Sequence, residues 1–90
     1  MRFEWDEAKN RANLKKHGIE FSAVRPLFAH PLTAYRIDEA LLNERRMTAI
    51  GYCRVELLRV TYIESNESVR IISVRKCSRK ERKEYEEGCL

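Results

Sequence analysis

Apolar and polar positions change their period along this chain, and the change falls near residue 33. At the start Phe3 and Trp5 alternate with Arg2 and Glu4, the two-residue repeat of a short strand. Asp6 then stands where a helix N-cap belongs, Glu7 suits the positive end of the helix dipole, and Gly18 suits the left-handed residue that closes a helix. A helix over residues 7 to 17 follows. At 100° per residue Ala8 and Ala12 share one side, whereas Lys9, Asn13, Lys16 and His17 fall within about a quarter of the circumference on another, a candidate working surface. Ile19, Phe21, Val24, Leu27 and Phe28 recur at near-helical spacing, which predicts a second helix over 20 to 28 with Pro26 near its start or kinking it, ended by His30-Pro31.

Beyond residue 33 short β-branched or aromatic segments take over, at 33 to 37, 47 to 52, 56 to 63 and 69 to 75. The turn at 64 to 68 separates the last two, and the four read as consecutive antiparallel strands. In the last, strict alternation sends Arg70, Ile72 and Val74 to one face and Ile71, Ser73 and Arg75 to the other. Arginine is then expected on both faces, and both need partial cover from helices. Ser78 with Glu81 three residues later is a capping box, and Gly88 ends the final helix. The expectation is one α+β domain over 1 to 90, a small antiparallel sheet with two N-terminal helices and a C-terminal helix.

Charge adds the first functional hint. The net charge is +4. Residues 1 to 17 carry five Lys or Arg against three Asp or Glu, the middle to residue 69 carries six against seven, and the last stretch from residue 70 carries seven against four. A basic ending on a small domain suits nucleic acid, although a solvated helix with paired charges has the same composition. No apolar run approaches the roughly 18 to 20 residues of a bilayer span, and the opening lacks the apolar core of a signal peptide. A cytoplasmic protein is expected. Cys53, Cys77 and Cys89 are odd in number and far apart, so neither a disulfide framework nor a zinc site is indicated. Cys77 reads either as a packing residue or as a thiol near cations.

Cations gathered on a rigid strand and helix suit the cleavage of RNA by its own 2′-hydroxyl. That reaction needs proton transfer and a positive charge at the phosphorus, and no obligatory metal. Arginine offers a planar fork that fits phosphate oxygens. Arg70, Arg75, Arg79 and Arg82 are the candidates. For proton transfer His17 shares its helix with Lys16 and Lys9, yet a histidine before a terminal glycine also serves as a cap. His30 reads as a loop residue. Tyr85 is either an acid or base-stacking partner, or an anchor for the last helix, and Trp5 either stacks on a base or belongs to the core.

Phe3-Glu4-Trp5-Asp6 with Lys9, Asn13 and Lys16-His17-Gly18, then Phe21, Phe28 and Pro31, then Glu44-Arg45-Arg46 before Gly51, and finally Arg70 to Arg75 leading to Glu81-Arg82 and Tyr85, resemble the BrnT family of toxins. Two departures from that family's pattern are Thr61-Tyr62-Ile63-Glu64, where an arginine is expected, and Cys77, where a smaller residue is usual. The resemblance implies a RelE-like ribonuclease that inhibits growth as the toxin of a type II toxin-antitoxin pair. It also implies a BrnA antitoxin with a ribbon-helix-helix domain, a heterotetramer built on an antitoxin dimer, and binding to operator DNA only through that antitoxin. The site it implies is His17, Arg46, Arg70, Arg75 and Arg82 for catalysis, with Lys9, Lys16, Arg79 and Tyr85 against RNA. A module that binds nucleic acid or an acidic partner without cleaving is the alternative.

Overall fold

A computed structural model describes residues 1 to 88. The chain runs through β1 (Arg2–Glu4), α1 (Glu7–His17), a 3-10 turn (Phe21–Val24), α2 (Arg25–Ala29), β2 (Ala34–Leu41), β3 (Glu44–Cys53), β4 (Glu56–Ser65), β5 (Ser68–Lys76) and α3 (Arg79–Glu86). The class is α+β. One five-stranded sheet has the order β1-β5-β4-β3-β2. Its pairs are antiparallel except β1 with β5, where Phe3 lies opposite Val69 in parallel register, so the sheet is mixed and not purely antiparallel. Three residues at the start of the chain carry no local sign of a partner at its far end.

The helix ends follow their caps. The Asp6 carboxylate accepts from Lys9 N–H at 3.1 Å, and Gly18, at φ 73°, donates to the Leu14 carbonyl at 2.8 Å. The segment expected as one helix over 20 to 28 divides at Val24 into the 3-10 turn and α2. Pro26 explains the division, because its missing N–H is tolerated in a first helical turn and not in a helix interior. In α3 the Ser78 hydroxyl accepts from Glu81 N–H at 3.2 Å while the Glu81 side chain accepts from Ser78 N–H at 2.9 Å, completing the capping box. Gly88, at φ 71°, lies just beyond that helix.

One face of the sheet holds the main core. Met47, Ala49, Leu58, Val60, Tyr62, Val69, Ile71 and Val74 face Phe21, Val24 and Leu27 from the turn and α2. Phe28 packs edge-on against Tyr62 with ring centroids 5.0 Å apart, and Trp5 meets Phe21 the same way at 6.3 Å. Gly51 lets Thr33 come close to β3, where a Cβ would collide with the threonine hydroxyl.

The polar face of α1 is divided between exposed Lys9 and Lys16 and an inward-facing Asn13. Asn13 is buried, its amide donates to the Ile19 and Val74 carbonyls at 2.9 Å each, and its oxygen accepts from Val74 N–H at 3.0 Å. It takes the place of a strand residue beside β5 where β1 has stopped. Asn10, one helical turn earlier, accepts from Phe21 N–H at 2.8 Å. Polar residues face inward here because they satisfy backbone groups that the sheet and the turn leave open, and Ala8 and Ala12 are exposed.

Candidate functional site

The second face of the sheet buries Thr48, Ile50, Leu57 and Thr61 and is open around Arg46 and Arg70. Residues directly opposite in antiparallel strands share a face, and the registers give three rows on this side: Glu39, Arg46, Ile63 and Arg70; Arg36, Thr48, Thr61 and Ser73; Ala34, Ile50, Arg59 and Arg75. Five arginines therefore belong to one face. Arg70 and Arg75 are five positions apart, so strict alternation separates them. A bulge reverses that. Thr61 pairs with Ser73 but Tyr62 pairs with Ile71, which leaves Ile72 as an extra residue in β5. Ile71 and Val74 consequently both enter the core, and Arg70 joins Ser73 and Arg75 on the open side. A second bulge, between Ile37 and Glu39, inserts Asp38 in β2 beside Arg36.

The cations on this face differ in their occupation. Arg75 sends two parallel N–H bonds to the Glu81 carboxylate, at 2.7 and 2.8 Å, and Arg59 reaches the same carboxylate at 3.2 Å. These hydrogen bonds from Arg75 hold the Glu81 carboxyl down at about 2 against the opposing effect of burial, and the same pairing raises Arg75. The trio fastens α3, none of whose own residues is buried, across the row that contains Ile50. Arg36 is tied to Asp38 at 2.7 Å, and the Thr48 hydroxyl donates to that carboxylate at 2.6 Å. Burial would raise the Asp38 carboxyl, but the bonds from Thr48 and Arg36 outweigh it and lower it. Arg46 and Arg70 make no side-chain hydrogen bond or ion pair among the described residues. They flank Ile63, with backbones two strand spacings, roughly 9 to 10 Å, apart.

Two exposed, unpaired guanidinium groups on a rigid sheet can each grip an anion. The sequence from residue 5 to residue 81 matches the family described as ribonuclease toxin, BrnT, of type II toxin-antitoxin system. This chain belongs to the BrnT family. No curated protein matches the sequence. The family description makes RNA the target and an antitoxin the counterpart, and the arginine face is one basic surface of this BrnT chain, beside the exposed Lys9, Arg11, Lys15 and Lys16 of α1.

The structure gathers some expected site residues of this BrnT member and separates others. Arg46, Arg70 and Arg75 share the open face, and Arg79 and Arg82 are exposed on α3 beside it. Tyr85 behaves as an anchor, since its hydroxyl donates to the Leu32 carbonyl at 2.8 Å and its ring meets Tyr52 edge-on at 6.0 Å. His17 is not brought to these arginines. It lines a cleft with Ile19, Cys53 and Leu58 on the side of the main core, and Lys9 and Lys16 are exposed on the same helix. Burial pushes the Cys77 thiol up to about 11, which suits a packing residue. Cys89 lies outside the described residues. Among the described residues no group of three or more His, Cys, Asp or Glu could hold a metal ion, and no helix is long and apolar enough to cross a membrane. Arg36, Arg59, Asp38 and Thr48 also meet on this face, which the charge pattern did not expose. Arranging each strand by parity would have grouped Arg46 with Thr48 and Arg59 with Thr61.

Proposed function

We propose that this chain is a metal-independent endoribonuclease toxin of RelE-like fold, and that the open sheet face carries RNA. The observation behind this reading is the pair of exposed arginines, Arg46 and Arg70, left without partners on a face whose other cations are tied to carboxylates. An RNA phosphodiester seated against them lies beside the hydroxyls of Thr61 and Ser73. Attack of the 2′-hydroxyl on phosphorus forms the new O–P bond and breaks the bond to the 5′-oxygen, leaving a 2′,3′-cyclic phosphate, while water takes the hydroxyl proton and supplies one to the departing 5′-oxygen. The guanidinium groups stabilise the charge that develops on the phosphoryl oxygens. Arg79 and Arg82 on α3 extend the basic track. Arg75 acts through Glu81 by fixing α3 in place. Neutralisation falls to a BrnA-type ribbon-helix-helix antitoxin in a heterotetramer, with operator DNA bound by the antitoxin and both proteins in the cytoplasm.

The test is cleavage of a labelled single-stranded RNA by purified protein in EDTA. Wild type, Arg46→Ala, Arg70→Ala and His17→Ala are compared after circular dichroism has shown each to be folded. Wild type and His17→Ala are expected to cut, and each arginine variant to lose about 10²-fold or more, the order seen when one donor to a developing oxyanion is removed. Intact RNA with wild type, bound in a salt-sensitive manner, would make the chain a binding module. Cleavage lost in His17→Ala alone would move the chemistry to the other face.

A further inference from the structure

Two bulges, one in β2 and one in β5, act on the same row of the open face. In β5 the extra Ile72 turns Arg70 to this side. In β2 the extra Asp38 does the same for Glu39, which strict alternation from Ile37 would send to the core side. The register then places Glu39 directly opposite Arg46, and the row reads Glu39, Arg46, Ile63, Arg70 across four strands. A carboxylate thus stands beside one of the two free guanidinium groups. Backbones of a directly opposed antiparallel pair are about 4.5 to 5.5 Å apart, within the span of either side chain. Yet Glu39 is exposed and makes no side-chain hydrogen bond or ion pair among the described residues, with Arg46 or with any other.

The other carboxylates of this region are occupied or set back. Asp38 is held by Arg36 and Thr48, and Glu81 by Arg75 and Arg59. Glu44 lies two residues before Arg46, roughly 6 to 7 Å along the strand, and lines a cleft at the turn end of the sheet with Arg2, Arg45 and Glu64. Resting on the reading that RNA is cut on this face, we propose that Glu39 is the general base of the cleavage, taking the 2′-hydroxyl proton that solvent would otherwise take. An attacking hydroxyl sits about 3 to 3.5 Å from phosphorus, so with the phosphate gripped by Arg46 a hydroxyl on the β2 side is within reach of this carboxylate. The 2′-oxygen bonds to phosphorus as its proton passes to Glu39. The bond from phosphorus to the 5′-oxygen breaks, and water protonates that oxygen. The hydroxide left behind recovers the proton from Glu39. A general base so placed contributes about 10²- to 10⁴-fold.

Charge and base chemistry predict opposite outcomes for Glu39→Gln. Removing a negative charge beside bound phosphate strengthens binding and by itself speeds cleavage, whereas removing a base slows it. Cleavage of a labelled single-stranded RNA is measured at saturating protein. Affinity is measured with the same RNA carrying 2′-O-methyl groups, which cannot attack. Glu39→Gln should bind at least as tightly as wild type and cut about 10²-fold more slowly or worse. The deficit should persist on RNA with sulfur in place of the bridging 5′-oxygen, a leaving group that departs without a proton. Glu44→Gln should cut as wild type does. Equal or faster cleavage by Glu39→Gln, a deficit that vanishes with the sulfur leaving group, or a loss confined to Glu44→Gln overturns the role of Glu39 alone. So does a parallel loss of affinity for the methylated RNA, which would mark a structural residue. A wild type that leaves RNA intact overturns the ribonuclease reading and this role with it.

Discussion

Replacing Asn13 by alanine should be among the costliest single changes outside the apolar core. The side chain is 7 % exposed and makes three hydrogen bonds, two as donor to carbonyls and one as acceptor from Val74 N–H. Each is worth a net of about 0.5 to 1.5 kcal/mol, and groups left bare and buried sit at the upper end. Alanine returns up to roughly 0.7 kcal/mol as the better helix former, so a loss of about 2 to 3 kcal/mol is expected. In a domain of this size that lowers Tm by roughly 10 to 20 °C. The assay is urea denaturation followed by the fluorescence of Trp5, the single tryptophan, which sits against Phe21 in the affected region. Asn13→Asp sharpens the result, because a carboxylate still accepts from Val74 N–H but repels the two carbonyls, and should do at least as much damage at pH 7. A loss below about 0.5 kcal/mol for Asn13→Ala, less than one ordinary hydrogen bond, would refute the idea that this amide seals the edge of β5.

Other outcomes follow from the same geometry. Glu81 has a folded value near 2 against an ordinary 4.5, so its contribution is complete above pH 4.5 and disappears as pH falls toward 2. Thermal melts from pH 5 to 2 should therefore show wild type losing more stability than Glu81→Gln. Gly51→Ala should destabilise by about 1 to 3 kcal/mol in the same urea assay, because the new methyl meets Thr33, whose hydroxyl donates to the Leu27 carbonyl at 2.5 Å. Cys77, raised to about 11, should be alkylated by iodoacetamide at pH 7.5 far more slowly in the folded protein than in urea, as read by mass spectrometry after digestion.

Much of this fold can be read locally. Asp6 and Gly18 bound α1, Ser78 and Glu81 open α3, and the alternation from 56 to 63 lies within β4, because caps and pleat are decided by neighbouring residues. What escapes local reading is set by distant contacts. The segment 33 to 37 looks complete at Ile37, yet β2 continues to Leu41, since Asp38 is accommodated as a bulge. Asn13 looks like surface until β5 supplies its partners. Basic charge close in sequence says little about what meets in space: His17 and Lys16 lie on the other side of the sheet from Arg46 and Arg70, which meet from different strands. Alternation misassigned Arg70 because Ile72 adds one residue to β5, and only the pairing with β4 reveals it.

The parallel seam between β1 and β5 bears on how the protein is made. Residues 2 to 4 find their strand partner, and Asn13 two of its three hydrogen bonds, only when Ser68 to Val74 arrive, so this early segment is among the last to settle. Contacts this distant in sequence slow folding and leave a growing chain open to chaperones and proteases. A truncated product ending before β5 lacks the strand that receives both β1 and α1. Without residues 68 to 76 the sheet has no seat for its parallel strand, and α1 loses the backbone that Asn13 binds.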